Sequence, residues 1–270
     1  MLELITHLPD EVQPLVIVPE EGSVAEACRR HGVACTILRP GTSLMAFGKA
    51  ALYWSQLQRA RVFYRELIPY TLAVARELRR RRIDLLHVNC PRGALLAGPA
   101  GRLLRLPVVG HLRGAPPVRG AYWRAFEVLC SRIITVCDAL QVDLSRRGRA
   151  KAVTVYNGTR DLLALRRAAP PVQSRLRWLA AERARGRLVV GCFASLTPFK
   201  GQHHLLEAVA ELNRRGLGGG ALFLCLGKVL DADREYEAWL YQRLQELAID
   251  NVTFAGWADD PFDFYAQTDI

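Results

Sequence analysis

The sequence predicts an α/β protein with two domains, each built on a parallel sheet covered by helices. Short apolar runs that suit buried strands alternate with longer segments of helical periodicity along nearly the whole chain, as in doubly wound folds. The chain has 270 residues, half of them hydrophobic. This length suffices for two cores, because a domain takes roughly 150 residues.

The first domain is predicted to occupy residues 1–165. Its strands are the apolar runs at 15–18, 34–38, 85–88, 108–111, 133–136 and 153–156. Its helices are expected at 23–31, 47–82, 93–105, 121–130 and 139–147. Strands separated by helices of this length are typical of parallel neighbours in one sheet.

A polar stretch at 166–186, containing Pro170 and Pro171, is predicted to be a linker with a short helix at 173–185. The second domain then covers 187–270. Its strands are expected at 188–193, 221–226 and 252–254, its helices at 201–215 and 234–247, and the start of another strand at 267–270. Because a parallel sheet with so few strands would leave a bare edge, we expect this domain to be incomplete.

Composition narrows the function classes. The formal charge of +11 favours acidic partners, namely nucleotide diphosphates, anionic lipid surfaces or nucleic acid, although solvated helix faces also explain runs of arginine. Nucleic-acid binding rests on charge alone, because no recognition motif is present. The seven cysteines form no C-x-x-C pair and are predicted to be buried free thiols. With no secretion signal and no apolar run of ~18 uncharged residues, we expect a cytoplasmic protein.

The strongest local motif lies where the first strand of the second domain runs through a polar loop into Lys200, Gly201 and a helix. Strand carboxyl ends border the ligand crevice in such sheets, and amides at a helix start attract anions. Lys200 adds a full charge that can offset a diphosphate, and Gly201 allows close backbone approach. An ordinary helix start with a solvent-facing lysine is the competing interpretation.

Two further strand ends carry candidate residues. His111 ends the strand at 108–111, where an imidazole can bind a phosphate or a sugar hydroxyl, although a lone histidine is more often structural. Asn157 and Gly158 follow the strand at 153–156, and this pair also suits a tight turn.

Taken together, these motifs resemble the family-4 glycosyltransferases. The stretches that carry the resemblance are DLLHVN (84–89), VVGHLRG (108–114), SRIITVCDAL (131–140), VYNGTRD (155–161), LTPFKGQHHLLEA (196–208), FLCLG (223–227) and NVTFAGWADDPFDFYAQTDI (251–270). The Lys-Gly-Gln helix start and the closing stretch with Gly256, Asp259 and Asp260 are its most specific parts. The resemblance implies a GT-B fold of two Rossmann-like domains, truncated at both ends in this sequence.

The resemblance also implies a function: retaining sugar transfer from a UDP-, GDP- or ADP-sugar to a glycan or lipid-linked acceptor, without a metal or other cofactor. Lys200 would hold the diphosphate and His111 would contact the transferred sugar, so these two are the catalytic candidates. Gly201 and Gly227 would lie close to the nucleotide, and the loop around Gly256 would border the base. Asn157 and Gly158 would lie near the crevice.

The sequence departs from the family pattern in ways that bear on activity. Members usually place an arginine five residues before the lysine, and Ser195 stands there instead. The opening strand with its glycine-rich loop has no counterpart before Leu2, and the paired-glutamate element would lie beyond Ile270. The alternative is therefore an inactive, truncated remnant. In an active parent, the resemblance predicts a role in bacterial cell-surface glycan or glycolipid synthesis. The basic and aromatic stretch at 47–82 suits peripheral contact with an anionic inner membrane face. Core packing of its aromatic residues beside a solvated basic face is the alternative, and the preferred one.

Overall fold

The computed structural model divides the chain into two compact units, Met1–Gly158 (unit 1) and Thr159–Ile270 (unit 2). It describes residues 2–45, 54–114, 120–158, 161, 164, 176–258 and 261–270. Residues 47–53 of one predicted helix, most of the predicted linker, and Asp259 and Asp260 lie outside the described residues. The first unit ends at Gly158, and the sequence places the end of the first domain at 165.

Unit 1 contains two parallel sheets. Its strands are β1 Leu15–Val18, β2 Ala34–Ile37, β3 Leu86–Val88, β4 Val108–Leu112, β5 Arg132–Thr135 and β6 Ala152–Thr154. β1 pairs with β2, and the other four form a sheet in the order β3-β4-β5-β6. Every described pairing is parallel. The six predicted strands are thus confirmed to within two residues at either end.

The helices of unit 1 surround these sheets. They are α1 Leu2–Thr6, α2 Ser23–Arg30, α3 Thr42–Met45, α4 Gln56–Val62, α5 Ile68–Arg80, α6 Pro91–Leu103, α7 Ala121–Leu129 and α8 Arg146–Arg149. The sequence analysis missed α1 and α3, because four or five residues are too few to show helical periodicity.

Two helices of unit 1 differ in the structure from the form that the sequence predicts. The described part of the helix predicted at 47–82 begins only after Ser55, whose side chain and Gln58 form a capping box. A π-helical turn, Phe63–Leu67, then joins α4 to α5, with the N–H of Ile68 donating to the carbonyl of Phe63. Pro69, which has no N–H to donate, follows directly.

The prediction of a single helix at 139–147 is wrong. The structure has a 3₁₀ helix, Asp138–Asp143, followed by the short α8. Leu144 between them is extended, and the hydroxyl of Ser145 accepts from the N–H of Gly148 to start α8. Serine favours this capping position over a helix interior, which explains the break.

Close packing fixes the four-stranded sheet against its helices. A Cβ atom at Gly110 in β4 would lie 2.4 Å from Cys130 Sγ and 2.7 Å from the ring of Phe126, so α7 sits directly on this strand. Phe126 and Ile133 are fully buried in the same core. The packing of α7 therefore holds in place the strand that carries His111.

Unit 2 has one parallel sheet in the order β7-β8-β9. Its elements are α9 Arg177–Ala184, β7 Leu188–Phe193, α10 Gln202–Arg214, β8 Ala221–Leu226, α11 Arg234–Glu246, β9 Val252–Phe254 and α12 Phe262–Gln267. The three predicted strands are confirmed at both ends. α9 corresponds to the short helix predicted in the linker, and its Leu179 packs into the same core as Val189. α12 was not predicted.

The predicted strand at 267–270 is seen as a short extension beside β7. The N–H of Asp269 donates to the carbonyl of Val189 at 2.8 Å, and the N–H of Gly191 donates to the carbonyl of Ile270 at 2.8 Å. The carboxylate of Asp269 also accepts from the N–H of Val189 and from Arg183. Residues 269 and 270 are thus bound to β7 by backbone and side chain together.

The cysteines are free thiols, as predicted, but they are not uniformly buried. Cys28, Cys130 and Cys225 are buried, whereas Cys90 is exposed where it begins α6. Among the helices that the structure describes, none has both the length and the apolar character needed to cross a bilayer.

Candidate functional site

In unit 2, the loops after β7, β8 and β9 meet at the carboxyl edge of the sheet. The N–H of Gly227 donates to the carbonyl of Gly256 at 2.8 Å, and the N–H of Leu196 donates to the carbonyl of Lys228 at 3.1 Å. The structure thus brings Ser195, Gly227 and Gly256, all predicted from the sequence, onto adjacent backbone segments. In open parallel sheets, this edge is where ligands bind.

Gly227 is required by the backbone around it. A Cβ atom at this position would lie 1.8 Å from the carbonyl oxygen of Ala194 and 3.0 Å from the nitrogen of Ser195. Gly256 has a left-handed backbone with φ near +69°, which glycine adopts without strain. The two glycines therefore let the three loops approach one another, a packing role that the sequence analysis did not foresee.

Lys200 ends a single 3₁₀ turn, Pro198–Lys200, between β7 and α10, and its side chain is exposed. Gly201 takes φ 73° and ψ 21°, so this residue redirects the chain into α10. The next residue, Gln202, is fully buried, and its Nε2 donates to the carbonyl of Ser195 at 2.9 Å. Gln202 thereby fixes the loop that carries Ser195 to the start of the helix.

The prediction of free amides at this helix start needs correction. The N–H of His203 donates to the hydroxyl of Tyr236, that of His204 to the carbonyl of Gly201, and that of Gly201 to the carbonyl of Pro198. Three of the amides expected to face an anion are therefore already bonded. The ammonium group of Lys200 becomes the main positive feature of the motif.

The two histidines that follow Gln202 lie in different surroundings. His203 is half-buried, its Nδ1 lies 2.8 Å from the hydroxyl of Tyr236, and its ring contacts that of Trp239 edge-on. His203 thus joins α10 to α11, whereas His204 is exposed.

In unit 1, the carboxyl ends of β3 and β4 form a second polar cluster. His111 is buried, and its ring stacks on that of His87 with 5.6 Å between the centroids. Both ring nitrogens of His111 and the Oδ1 atom of Asn89 are buried without a hydrogen-bond partner in the part of the chain that is described. Buried polar atoms are normally bonded, so this cluster fits a polar ligand or water.

Electrostatics keep His111 neutral. Burial is the largest cause, and the charge of Arg113 and the neighbouring His87 add to it, lowering the pKa of His111 to about 4. Burial and Arg113 also lower the pKa of His87. A neutral imidazole has one N–H donor and one acceptor nitrogen, which suits a sugar hydroxyl.

We predict that His111 makes the stability of the protein depend on pH. Because its pKa in the folded state is below 6.5, the unfolded chain binds more protons between pH 6.5 and 4. The stabilisation is fully present above pH 6.5 and is lost as the pH falls toward 4. The expected loss between pH 7 and pH 4 is ~3 kcal/mol, since one pKa unit corresponds to ~1.4 kcal/mol.

Urea unfolding at both pH values checks this. The variant His111→Gln should lack this part of the pH dependence, and His31→Gln, at an exposed position, should keep the wild-type profile. An equal pH dependence in wild type and His111→Gln would show that His111 titrates normally.

Asn157 and Gly158 follow β6 and lie at the same edge of the sheet as His111, two strands away. Both are exposed. Beside them the hydroxyl of Tyr156 donates to the carboxylate of Asp138 at 2.9 Å. Hydrogen bonds, from Thr154 first and from Tyr156, lower the pKa of Asp138.

The sequence analysis missed His87, Asn89 and Gln202. His87 and Asn89 were visible in HVN at a strand end, by the same rule that selected His111, whereas nothing local marks Gln202 as buried. Among the described residues, no group of three or more His, Cys, Asp or Glu side chains is placed to hold a metal ion.

Two units with parallel, helix-covered sheets and polar loops at the carboxyl ends of their strands define the GT-B fold, built from Rossmann-like domains. The model of Glycosyltransferase Family 4 matches residues 3–161, more than half of the chain. The chain therefore belongs to this glycosyltransferase family.

Solved structures share the fold. The crystal structure of Anabaena Alr3699/HepE in complex with UDP and glucose has a TM-score of 0.71 and 23% identity, over 94% of this chain and 64% of that one. The structure of a glycosyltransferase from Rickettsia africae ESF-5 has a TM-score of 0.69 and 12% identity, over 99% of this chain and 65% of that one. The structure of a UDP-forming trehalose-phosphate synthase from Burkholderia xenovorans has a TM-score of 0.60 and 16% identity, over 79% of this chain and 56% of that one.

The chain thus spans a little under two thirds of the length of the first of these proteins. A search of the curated protein sequences gives no significant match.

Proposed function

We propose that the protein transfers a sugar from a nucleoside-diphosphate sugar to an acceptor, with retention of anomeric configuration, and that unit 2 binds the donor. One observation carries the proposal: the loops bearing Ser195, Gly227 and Gly256 meet at one sheet edge, and Gln202 ties the Lys200 turn to them. Backbone that approaches so closely beside an exposed ammonium group suits a diphosphate.

The proposed chemistry depends on stabilising the leaving group. As the bond between the sugar and the diphosphate breaks, negative charge grows on the leaving oxygen, and a fixed cation lowers this barrier. Lys200 supplies that cation. Where the family has an arginine, this chain has Ser195, so one cation is absent at that position.

We propose that Lys228 takes over part of the missing charge. It directly follows Gly227, its side chain is exposed, and its carbonyl accepts from the N–H of Leu196, the residue after Ser195. Its backbone therefore lies beside the loop in which the arginine would stand. With two lysines in place, we propose that transfer needs no divalent ion.

His111 is proposed to bind a hydroxyl of the transferred sugar. Its ring nitrogens and the Oδ1 atom of Asn89 have no hydrogen-bond partner among the described residues, so they offer acceptors and a donor at one sheet edge of unit 1. Neutrality supports this role, because a charged imidazole would lack an acceptor nitrogen.

The donor is proposed to be a UDP-sugar, with GDP- and ADP-sugars as alternatives, because Alr3699/HepE was solved with UDP and glucose. We further propose a glycan or lipid-linked acceptor, a role in bacterial cell-surface glycan synthesis, and a cytoplasmic enzyme that contacts the inner membrane face peripherally. The competing candidate is an inactive remnant, which the serine at position 195 favours.

The first experiment is nucleotide binding to the 270-residue chain by calorimetry and thermal shift, with UDP-glucose, GDP-mannose, ADP-glucose and UDP. We expect UDP and UDP-glucose to raise the melting temperature, since a ligand at 100 times its Kd stabilises by ~2.7 kcal/mol. Uridine, which lacks the diphosphate, is the matched control and should bind much more weakly.

EDTA should leave the binding of UDP unchanged. Binding that disappears with EDTA and returns with Mg²⁺ would contradict the metal-free proposal, and a chain that binds none of the nucleotides would support the inactive remnant. Turnover is then measured on a form extended by the flanking coding sequence.

A further inference from the structure

A cavity of about 500 Å³ opens at the amino edge of the four-stranded sheet in unit 1, opposite to the edge that carries His111. It is lined by Arg102, Arg105, Leu106, Pro107 and Ser131. Arg102 lies in the last turn of α6, and Ser131 directly precedes β5. The other three residues form the turn between α6 and β4. The roles proposed for the carboxyl edge leave the cavity unassigned.

The backbone at the two arginines is held in place by packing and hydrogen bonds. A Cβ atom at Gly101 would lie 2.7 Å from Val108 Cγ2, so the end of α6 packs directly against β4. The N–H of Leu106 then donates to the carbonyl of Gly101 at 2.8 Å, and that of Arg105 to the carbonyl of Arg102 at 3.1 Å. The backbone of both arginines is therefore ordered before any ligand binds.

Ser131 contributes a directed hydroxyl group. Its N–H donates to the carbonyl of Val108 at 2.7 Å, and its Oγ accepts from the N–H of Val108 at 3.2 Å. With one lone pair used in this way, the hydroxyl proton is available to donate to a ligand.

Positive charge accumulates beside the cavity, and Glu127 offsets part of it at Lys151. Within the described part of the chain, neither Arg102 nor Arg105 forms an ion pair. Nearby, Lys151 donates through Nζ to the carbonyls of Glu127 and Cys130. Burial and, to a smaller extent, the charge of Arg102 lower the pKa of Lys151. An anion in the cavity would relieve this repulsion.

We propose that this cavity binds a phosphate group, at a site separate from the one proposed for the donor diphosphate. Guanidinium groups match phosphate oxygens with two parallel N–H bonds, and a serine hydroxyl adds a third donor. The ligand class is a phosphate monoester or diphosphate, either on a free metabolite or on a lipid headgroup.

The test is a titration of the ¹⁵N-labelled chain with inorganic pyrophosphate at constant ionic strength, followed by amide chemical shifts. We expect saturable shifts at Leu106 and Ser131. The double variant R102Q/R105Q should weaken this binding at least tenfold. The matched control R76Q/R79Q removes the same charge from exposed positions on α5 and should stay within twofold of wild type.

The amide of Gly201 in the same spectra reports separately on the donor site, so failure of one proposal is distinguishable from failure of the other. Absence of shifts at Leu106 and Ser131, or equal weakening by both double variants, would overturn the cavity assignment.

A flotation assay separates the two sources of phosphate. Vesicles of phosphatidylglycerol and phosphatidylcholine are compared with phosphatidylcholine alone. Loss of binding to the anionic vesicles in R102Q/R105Q, but not in R146Q/R147Q, which removes the same charge from exposed positions on α8, would support a lipid headgroup as the ligand. Vesicle binding that is absent or unchanged, together with weakened pyrophosphate binding in R102Q/R105Q, would support a free phosphorylated metabolite.

Discussion

Replacing Lys200 with alanine should weaken the binding of UDP to the chain at least tenfold. A hydrogen bond to a charged group contributes ~1.5 to 3 kcal/mol, and 1.4 kcal/mol corresponds to a factor of ten. The effect should be large because three neighbouring amides, those of Gly201, His203 and His204, are already bonded within the protein and give no compensation.

Isothermal calorimetry with UDP and with uridine checks this. Lys200→Ala should leave the weak binding of uridine unchanged, because the charge acts on the diphosphate. Lys200→Arg should restore part of the affinity, and Arg177→Ala, which removes an exposed charge elsewhere in unit 2, should have no effect. UDP affinity within twofold of wild type in Lys200→Ala would refute the phosphate role.

Lys228→Ala tests the second cation, and the double variant with Lys200→Ala shows whether the two lysines act on the same group. If both bind the diphosphate, the loss in the double variant should differ from the sum of the two single losses, because residues that share a partner are not additive.

Gly227→Ala should abolish measurable binding of UDP and destabilise unit 2. The added methyl group would lie 1.8 Å from the carbonyl oxygen of Ala194, and backbone cannot rotate away as a side chain can. Overpacking of this kind costs ~1 to 3 kcal/mol or more. The loops carrying Ser195 and Gly256 would therefore be forced apart.

Gly219→Ala is the matched control, because no atom lies within 4 Å of the position that its Cβ would take. Urea unfolding and calorimetry on both variants separate the effects on stability and on binding. A Gly227→Ala protein with normal stability would show that the loops after β7 and β8 can move apart with no loss in the free energy of unfolding.

The strands were predictable because each is a short apolar run bounded by polar or glycine-containing turns, and buried parallel strands need little else. The short helices were not, because α1, α3 and α12 are too short to show a period. The boundary between the 3₁₀ helix and α8 depends on the cap at Ser145, which competes with continued helix over only a few residues.

The candidate site was predictable in position more than in chemistry. Strand ends selected His111 and Lys200, because parallel strands bring their carboxyl ends to one edge, whereas Gly227 followed from the family resemblance. The bonding of the amide of His203 depends on Tyr236, which lies 33 residues further along the chain. Likewise, the neutrality of His111 follows from burial and Arg113, and burial is a property of the folded chain only.

The pairing of residues 269 and 270 with β7 has a practical consequence for handling the protein. Asp269 bonds to Val189 through both its backbone and its carboxylate, so residues 269 and 270 shield the outer edge of the strand that leads to Lys200. An affinity tag fused directly after Ile270 would disturb these two residues. The edge of β7 would then be exposed and free to pair with another copy of the chain. Purification tags therefore belong at the amino terminus, or behind a flexible spacer.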